Sequence, residues 1–87
     1  MANGDVRVDP EPLKAFTREV FTRLGVPPED AATEAEVLLW ANLRGVDSHG
    51  VLRIRNYMGS LESGMMNATP NIQVENETPA TVLIEAD

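Results

Sequence analysis

The residues of this 87-residue chain best equipped for chemistry are its single histidine, His49, an arginine four positions on, Arg53, and a tyrosine four beyond that, Tyr57. An imidazole carries protons near neutral pH, a guanidinium grips a carboxylate through two parallel hydrogen bonds, and a phenol donates to a substrate oxygen. Together these groups suit a small hydroxy- or keto-acid. Helical spacing predicts that the three lie on one slowly turning stripe, about 120° from the centre of the face formed by Val51, Ile54, Met58 and Leu61. Ser48 can orient the same substrate oxygen or cap the helix, and Gly50 leaves room for close approach. If the helix begins at Asp47-Ser48, His49 stands in its first turn, where the helix dipole disfavours imidazolium and leaves a neutral base available. The other reading of such a trio is ordinary surface chemistry, with His49 and Tyr57 hydrogen-bonded locally and Arg53 solvated. Asp47 and His49, with no second histidine and no cysteine, are poor ligand supply, so no metal site is expected.

The elements that must position these residues are legible from caps and periodicity. Asp9-Pro10-Glu11 has the cap, first-turn proline and acidic residue of a helix start. Leu13, Phe16, Val20, Phe21 and Leu24 then form an apolar stripe up to Gly25. Pro27-Pro28-Glu29-Asp30 opens a second helix, in which Ala31, Ala35, Leu38, Leu39 and Asn42 share a face while Glu34 and Glu36 point away, ending near Arg44-Gly45. The third runs from Ser48 until Gly64. From Asn67 the signals change: Pro70 breaks any helix, Ile72 to Glu75 alternates as a half-buried strand does, and Asn76 to Pro79 is a turn. Ala80 to Ala86 is a β-rich run with apolar side chains on both faces. The expected fold class is therefore α+β, with helices near 10–24, 28–44 and 48–63 and a β-hairpin near 71–86. The expected division is a three-helix segment, 1–66, and a hairpin, 67–87, that opens a further domain. Asp87 comes directly off a strand, so the chain reads as cut.

Composition narrows the partners. With 43% apolar and 5% aromatic residues the chain is expected to fold around one small core. Its net charge of -7 repels nucleic-acid phosphates and anionic lipid, which favours a small-molecule or protein partner. No cysteine and no apolar leader among Met1 to Pro10 fit a cytoplasmic location, and make the glycosylation patterns at Asn67-Ala68-Thr69 and Asn76-Glu77-Thr78 chance matches. Trp40 reads as core or interface, Met65-Met66 as apolar filler. No Gly-x-Gly-x-x-Gly fingerprint occurs, so a Rossmann dinucleotide site cannot be built from this stretch.

The run Asn42-Leu43-Arg44-Gly45-Val46-Asp47-Ser48-His49-Gly50-Val51 resembles the malate/L-lactate dehydrogenase family, which includes ureidoglycolate and sulfolactate dehydrogenases. The likeness continues through Gly25-Val26-Pro27 and Glu29-Asp30-Ala31 upstream, and through Arg53, Tyr57, Leu61, Gly64, Asn67 and Pro70 downstream, covering essentially everything from Pro10 onward. The resemblance implies the opening part of a larger, non-Rossmann α/β fold that binds NAD or NADP and works as a homodimer with its active site near the subunit boundary. It also implies that Ser48, His49, Arg53 and Tyr57 line the substrate pocket, the same set that spacing selects; residue chemistry makes His49 the proton acid/base and Arg53 the carboxylate binder for a 2-hydroxy or 2-keto acid. Arg55 stands where many relatives carry proline, and Ser60 where an arginine is common. Family enzymes continue several times further and bring the nicotinamide pocket from that part. The cofactor site is thus expected mostly outside this chain, which is not expected to transfer hydride alone. Two alternatives stay open: a non-catalytic fragment or interaction module of the same ancestry, and a winged-helix DNA binder. The second has the right element order and Arg44, Arg53 and Arg55 near its third helix, but an acidic wing bearing Glu75 and Glu77.

Overall fold

The computed structural model describes residues 7–87; Met1 to Val6, part of the stretch read for a leader, lie outside the described residues. Three helices and a two-stranded antiparallel hairpin follow one another: α1 (Pro10–Arg23), α2 (Pro28–Leu43), α3 (Ile54–Ser63), β1 (Gln73–Glu77) and β2 (Val82–Glu85), with two short 3-10 turns, Asp47–His49 and Val51–Arg53, leading into α3. Prolines at the first turns of α1 and α2 supply a helical φ where no N–H is missed. Asp9 does occupy the N-cap of α1, but its side chain makes no capping bond; the backbone carbonyl alone accepts from Leu13 N–H, at 3.3 Å.

Both long helices close in the same way. At the end of α2, Gly45 takes a left-handed φ of 78°, so that its N–H reaches the Asn42 carbonyl at 3.0 Å and the Val46 N–H reaches that of Ala41 at 2.8 Å. This pair of bonds satisfies carbonyls of the last turn, and the chain is turned sharply off the helix axis. The equivalent bonds close α1, from Gly25 to Thr22 and from Val26 to Phe21, both at 3.1 Å.

The core lies between α1 and α2 and is built largely from small residues: Ala31, Ala35 and Thr17 have no exposed surface, and Phe21 and Leu38 have almost none. Val26, Val51, Ile54, Tyr57 and Leu61 pack partly against it. The inward face of α2 is the one expected, but the stripe of α1 passes through Thr17 in place of Phe16, which is 59% exposed. Leu13, Thr17, Val20, Phe21 and Leu24 keep one helical face, whereas Phe16 sits about 100° away from Thr17 around the axis. A short β-branched residue fits this fully buried position, and the Thr17 hydroxyl is satisfied by the Leu13 carbonyl at 2.8 Å. Trp40 is not core in this chain: it is 54% exposed, with the Arg44 guanidinium stacked 4.4 Å from its ring centroid. Nor is Met65 filler, since it is almost fully exposed.

The hairpin pairs Gln73 with Glu85, Val74 with Ile84, Asn76 with Leu83 and Glu77 with Val82, leaving Glu75 as a bulge. Its turn is held by Thr78, whose N–H donates to the Thr81 carbonyl at 2.8 Å and whose hydroxyl accepts the Thr81 N–H at 3.0 Å. The Asp87 carboxylate closes the base, accepting from Asn67 Nδ2 at 3.2 Å and Asn71 N–H at 3.0 Å. Neither strand is half-buried; Val82, Leu83 and Ile84 are 52%, 57% and 48% exposed, because no second layer of the described chain lies over either face. The radius of gyration, 15.7 Å, exceeds the roughly 12 Å of a compact globule of this length. An open hairpin with apolar residues on both faces and unpaired edges is a template for association. Sedimentation velocity of the chain should therefore show association that grows with concentration, and a single compact monomer over a wide range would contradict this. Among the described residues no helix is long and apolar enough to cross a membrane.

Candidate functional site

Gly45 delivers the chain from the end of α2 into the segment that carries His49, and here the structure departs from the expected continuous helix. Asp47 to Arg53 forms two 3-10 turns separated by Gly50, whose φ of -100° and ψ of -148° are extended. The α-helix begins only at Ile54. Ser48 therefore caps no helix, and the side chain of Asp47 is engaged elsewhere, with its Oδ1 accepting from Asn42 Nδ2 at 2.9 Å. His49 closes a three-residue turn five positions before α3 begins, so it does not stand in the first turn of an α-helix and meets no helix dipole there.

The cause of the break is Asn42. Its Oδ1 accepts the Val51 N–H at 2.8 Å, nine residues on. Gly50 is buried under the same amide, and a Cβ at position 50 would collide with the Asn42 side chain. Gly50→Ala is thus expected to cost about 1–3 kcal/mol, the usual range for overpacking. The cost should fall in an Asn42→Ala background, where the clash is gone although its hydrogen bonds are gone too. Denaturant midpoints of the two single variants and the double variant measure this; equal costs of the glycine change in both backgrounds would contradict it.

Ser48 joins the two principal candidates. Its hydroxyl lies 2.8 Å from His49 Nδ1, and its backbone carbonyl accepts from Arg53 Nε at 2.7 Å. His49 and Ser48 are exposed and Arg53 is half-buried. Among the described residues neither His49 nor Arg53 forms an ion pair, so the terminal nitrogens of Arg53 remain available to an external carboxylate. With Nδ1 occupied by Ser48, the ring nitrogen left for a substrate is Nε2. If Nδ1 carries the proton and donates to the serine oxygen, Nε2 presents a lone pair to a hydroxyl proton.

Tyr57 is placed differently. Its ring packs on the core, 6.5 Å between centroids from Phe21, and lines an apolar concavity of about 450 Å³ together with Val26, Leu61, Met66 and Ile72. The two 3-10 turns and the extended Gly50 between them take His49 off the helical path into α3, so the anticipated i, i+4, i+8 stripe does not form. Asn42, expected only on the inward face of α2, is a further element of the site through its bonds to Asp47 and Val51. The signal for it was a polar amide on that otherwise apolar face, eight residues before a glycine.

The chain belongs to the malate/L-lactate dehydrogenase family, whose family model matches residues 8–87. It is 45% identical over 82 residues to the malate dehydrogenase of Pyrococcus horikoshii, covering 94% of this chain and 23% of that protein. The solved structure of that enzyme superposes with a TM-score of 0.90 over 94% of this chain and 24% of its own. The L-sulfolactate dehydrogenase of Methanocaldococcus jannaschii is 40% identical over 78 residues, which are 90% of this chain and 23% of that protein. Its structure gives a TM-score of 0.85, at 39% identity, over 88% of this chain and 22% of its own. A ureidoglycolate dehydrogenase (NAD(+)) of Escherichia coli is 32% identical over 82 residues, covering 94% of this chain and 24% of that protein. The chain thus spans about a quarter of the length of these relatives. The three helices and hairpin correspond to the amino-terminal portion of malate and sulfolactate dehydrogenases.

Proposed function

We propose that this chain is the amino-terminal part of an oxidoreductase acting between a 2-hydroxy acid and the corresponding 2-keto acid, and that the Ser48 turn supplies its acid/base and carboxylate-binding groups. The observation that carries this reading is the double use of Ser48, whose hydroxyl meets His49 Nδ1 and whose carbonyl meets Arg53 Nε. One residue thereby ties a proton carrier to a carboxylate binder within five positions. His49 Nε2 takes the hydroxyl proton of the bound 2-hydroxy acid, and in the reverse direction the imidazolium returns it to the forming alkoxide. The terminal nitrogens of Arg53 clasp the carboxylate, while Ser48 holds the imidazole. Tyr57 enters as a wall of the substrate pocket through its ring, supported by the partial exposure it keeps beside the core.

The concavity beside Tyr57 does not fit the phosphates of a dinucleotide. It is rimmed by Asp30 and Glu34 and by no lysine or arginine, a setting that repels a pyrophosphate. The NAD or NADP site is accordingly proposed to lie mostly outside these 87 residues. Division at 66/67, a homodimer, a cytoplasmic location and no nucleic-acid or membrane partner belong to the same reading. The winged-helix alternative has only element order and Arg44, Arg53 and Arg55 in its favour; Arg44 stacks on Trp40, Arg53 bonds to the Ser48 carbonyl, and Glu75 and Glu77 give its wing the wrong charge. The test is the change in nicotinamide absorbance with a panel of 2-hydroxy and 2-keto acids. Turnover is expected from the complete enzyme and none from the 87-residue chain. Turnover by this chain alone would overturn the placement of the cofactor site, and a complete enzyme inactive on every acid of the panel would overturn the substrate class.

A further inference from the structure

The turn that holds Ser48 and His49 is almost entirely exposed, with only Gly50 buried between Asp47 and Arg53. Packing cannot fix the orientation of such a segment; hydrogen bonds to a rigid neighbour must. The neighbour is the last turn of α2, already anchored by its Gly45 closure and by buried Leu38, Leu39 and Ala41. From it Asn42 reaches both ends of the segment, donating through Nδ2 to Asp47 Oδ1 at 2.9 Å and accepting at Oδ1 from Val51 N–H at 2.8 Å. Those two contacts bracket Ser48, His49 and Gly50. The amide fills the space that the missing side chain of Gly50 leaves open, so the two residues fit as a pair. Each amide atom meets the partner its chemistry requires, with NH₂ on a carboxylate and C=O on a backbone N–H.

We infer that Asn42 is the positioning residue of the candidate site. By clamping residues 47 and 51 it sets the Ser48 backbone, and through the Ser48 carbonyl and hydroxyl it aims Arg53 and His49. This rests on the proposed reading of the site only for its catalytic consequence; the geometric claim stands or falls separately.

The test exchanges the two amide partners. Asn42→Asp keeps an acceptor for Val51 but sets two carboxylates against each other. Asn42→Asp with Asp47→Asn restores one donor and one acceptor across the same gap. Asn42→Leu removes both bonds at similar volume. Nuclear magnetic resonance of the 87-residue chain reads the outcome at three places: amide exchange at Val51, the Arg53 Nε–H signal, and the His49 ring nitrogens. Asn42→Leu should speed Val51 exchange roughly tenfold or more, the consequence of losing one half-buried hydrogen bond, and shift the Arg53 and His49 signals. Asn42→Asp should move the Arg53 and His49 signals, and the double exchange should return them towards those of the parent chain. Unchanged Arg53 and His49 signals in folded Asn42→Leu would overturn the inference, as would an Asn42→Asp/Asp47→Asn chain no closer to the parent than Asn42→Asp alone. If Asn42→Leu failed to fold, the exchange pair would still decide. Steady-state kinetics of the same variants in the complete enzyme test the other half: signals that move while turnover does not would uphold the clamp and refute the acid/base reading of His49.

Discussion

Replacing His49 by alanine in the complete enzyme is expected to lower turnover by roughly 10²–10⁴-fold, with KM for the 2-hydroxy acid changed only a few-fold. The magnitude is that of a positioned acid/base group whose loss leaves proton transfer to water. The split between turnover and KM follows from geometry, because the carboxylate of the substrate is assigned to Arg53, a separate side chain that does not need His49 for its place. Arg53 is held by the Ser48 carbonyl, a backbone atom that survives the substitution. His49→Gln refines the test: a glutamine can hydrogen-bond to Ser48 and to substrate but neither takes up nor releases a proton at neutral pH, so it should resemble alanine in turnover. Turnover near that of the parent would move the base to another part of the enzyme and leave His49 a residue that orients substrate.

Arg53→Ala carries the second large effect, in the other kinetic parameter. Loss of a two-pronged carboxylate contact weakens kcat/KM by about 2–5 kcal/mol, expressed mainly as a raised KM. Arg53→Lys should recover only part of this. The guanidinium uses Nε on the Ser48 carbonyl, 2.7 Å away, and keeps its terminal nitrogens for the substrate. A lysine ammonium is a point donor that can serve one of these partners well but cannot reproduce the fork serving both. Initial-rate measurements over a range of acid concentrations separate the parameters. A lysine variant with the KM of the parent would show that charge alone is read at this position.

How much of this was legible in the sequence depends on how local the cause was. The limits of α1 and α2 follow from proline at the start and glycine at the end, signals that act through φ and missing N–H groups within a few residues, and they fall where expected. The hairpin follows from Pro70, the turn residues and the β-branched run. Its exposure is not what alternation at Ile72 to Glu75 implies, because alternation reports a face meant to be covered and not whether the cover is present. The segment from Asp47 to Arg53 was misread for a different reason. Val51 and Ile54 are three apart, a spacing that 3-10 and α-helical turns share, so periodicity runs through the junction without registering it. What breaks the helix is an amide on α2 bonding to Val51 and filling the space over Gly50, a tertiary contact with no local signature.

The candidate residues were found by residue type and by family resemblance. The helical stripe first offered as their geometric basis is absent; Ser48, His49 and Arg53 converge through a turn, while Tyr57 rotates onto Phe21. Phe16 and Thr17 carry a similar lesson on α1. Counting apolar residues selects the phenylalanine, whereas the fully buried position on α1 is held by its smaller neighbour.

The most direct measurement is a crystal structure of the complete enzyme with its nicotinamide cofactor and a bound 2-keto acid. The expected result has the acid's carboxylate on the terminal nitrogens of Arg53 and its keto oxygen within hydrogen-bond distance of His49 Nε2, with Ser48 still on Nδ1. A keto oxygen facing some other proton donor, with His49 Nε2 turned to solvent and the carboxylate held by a cation other than Arg53, would contradict it.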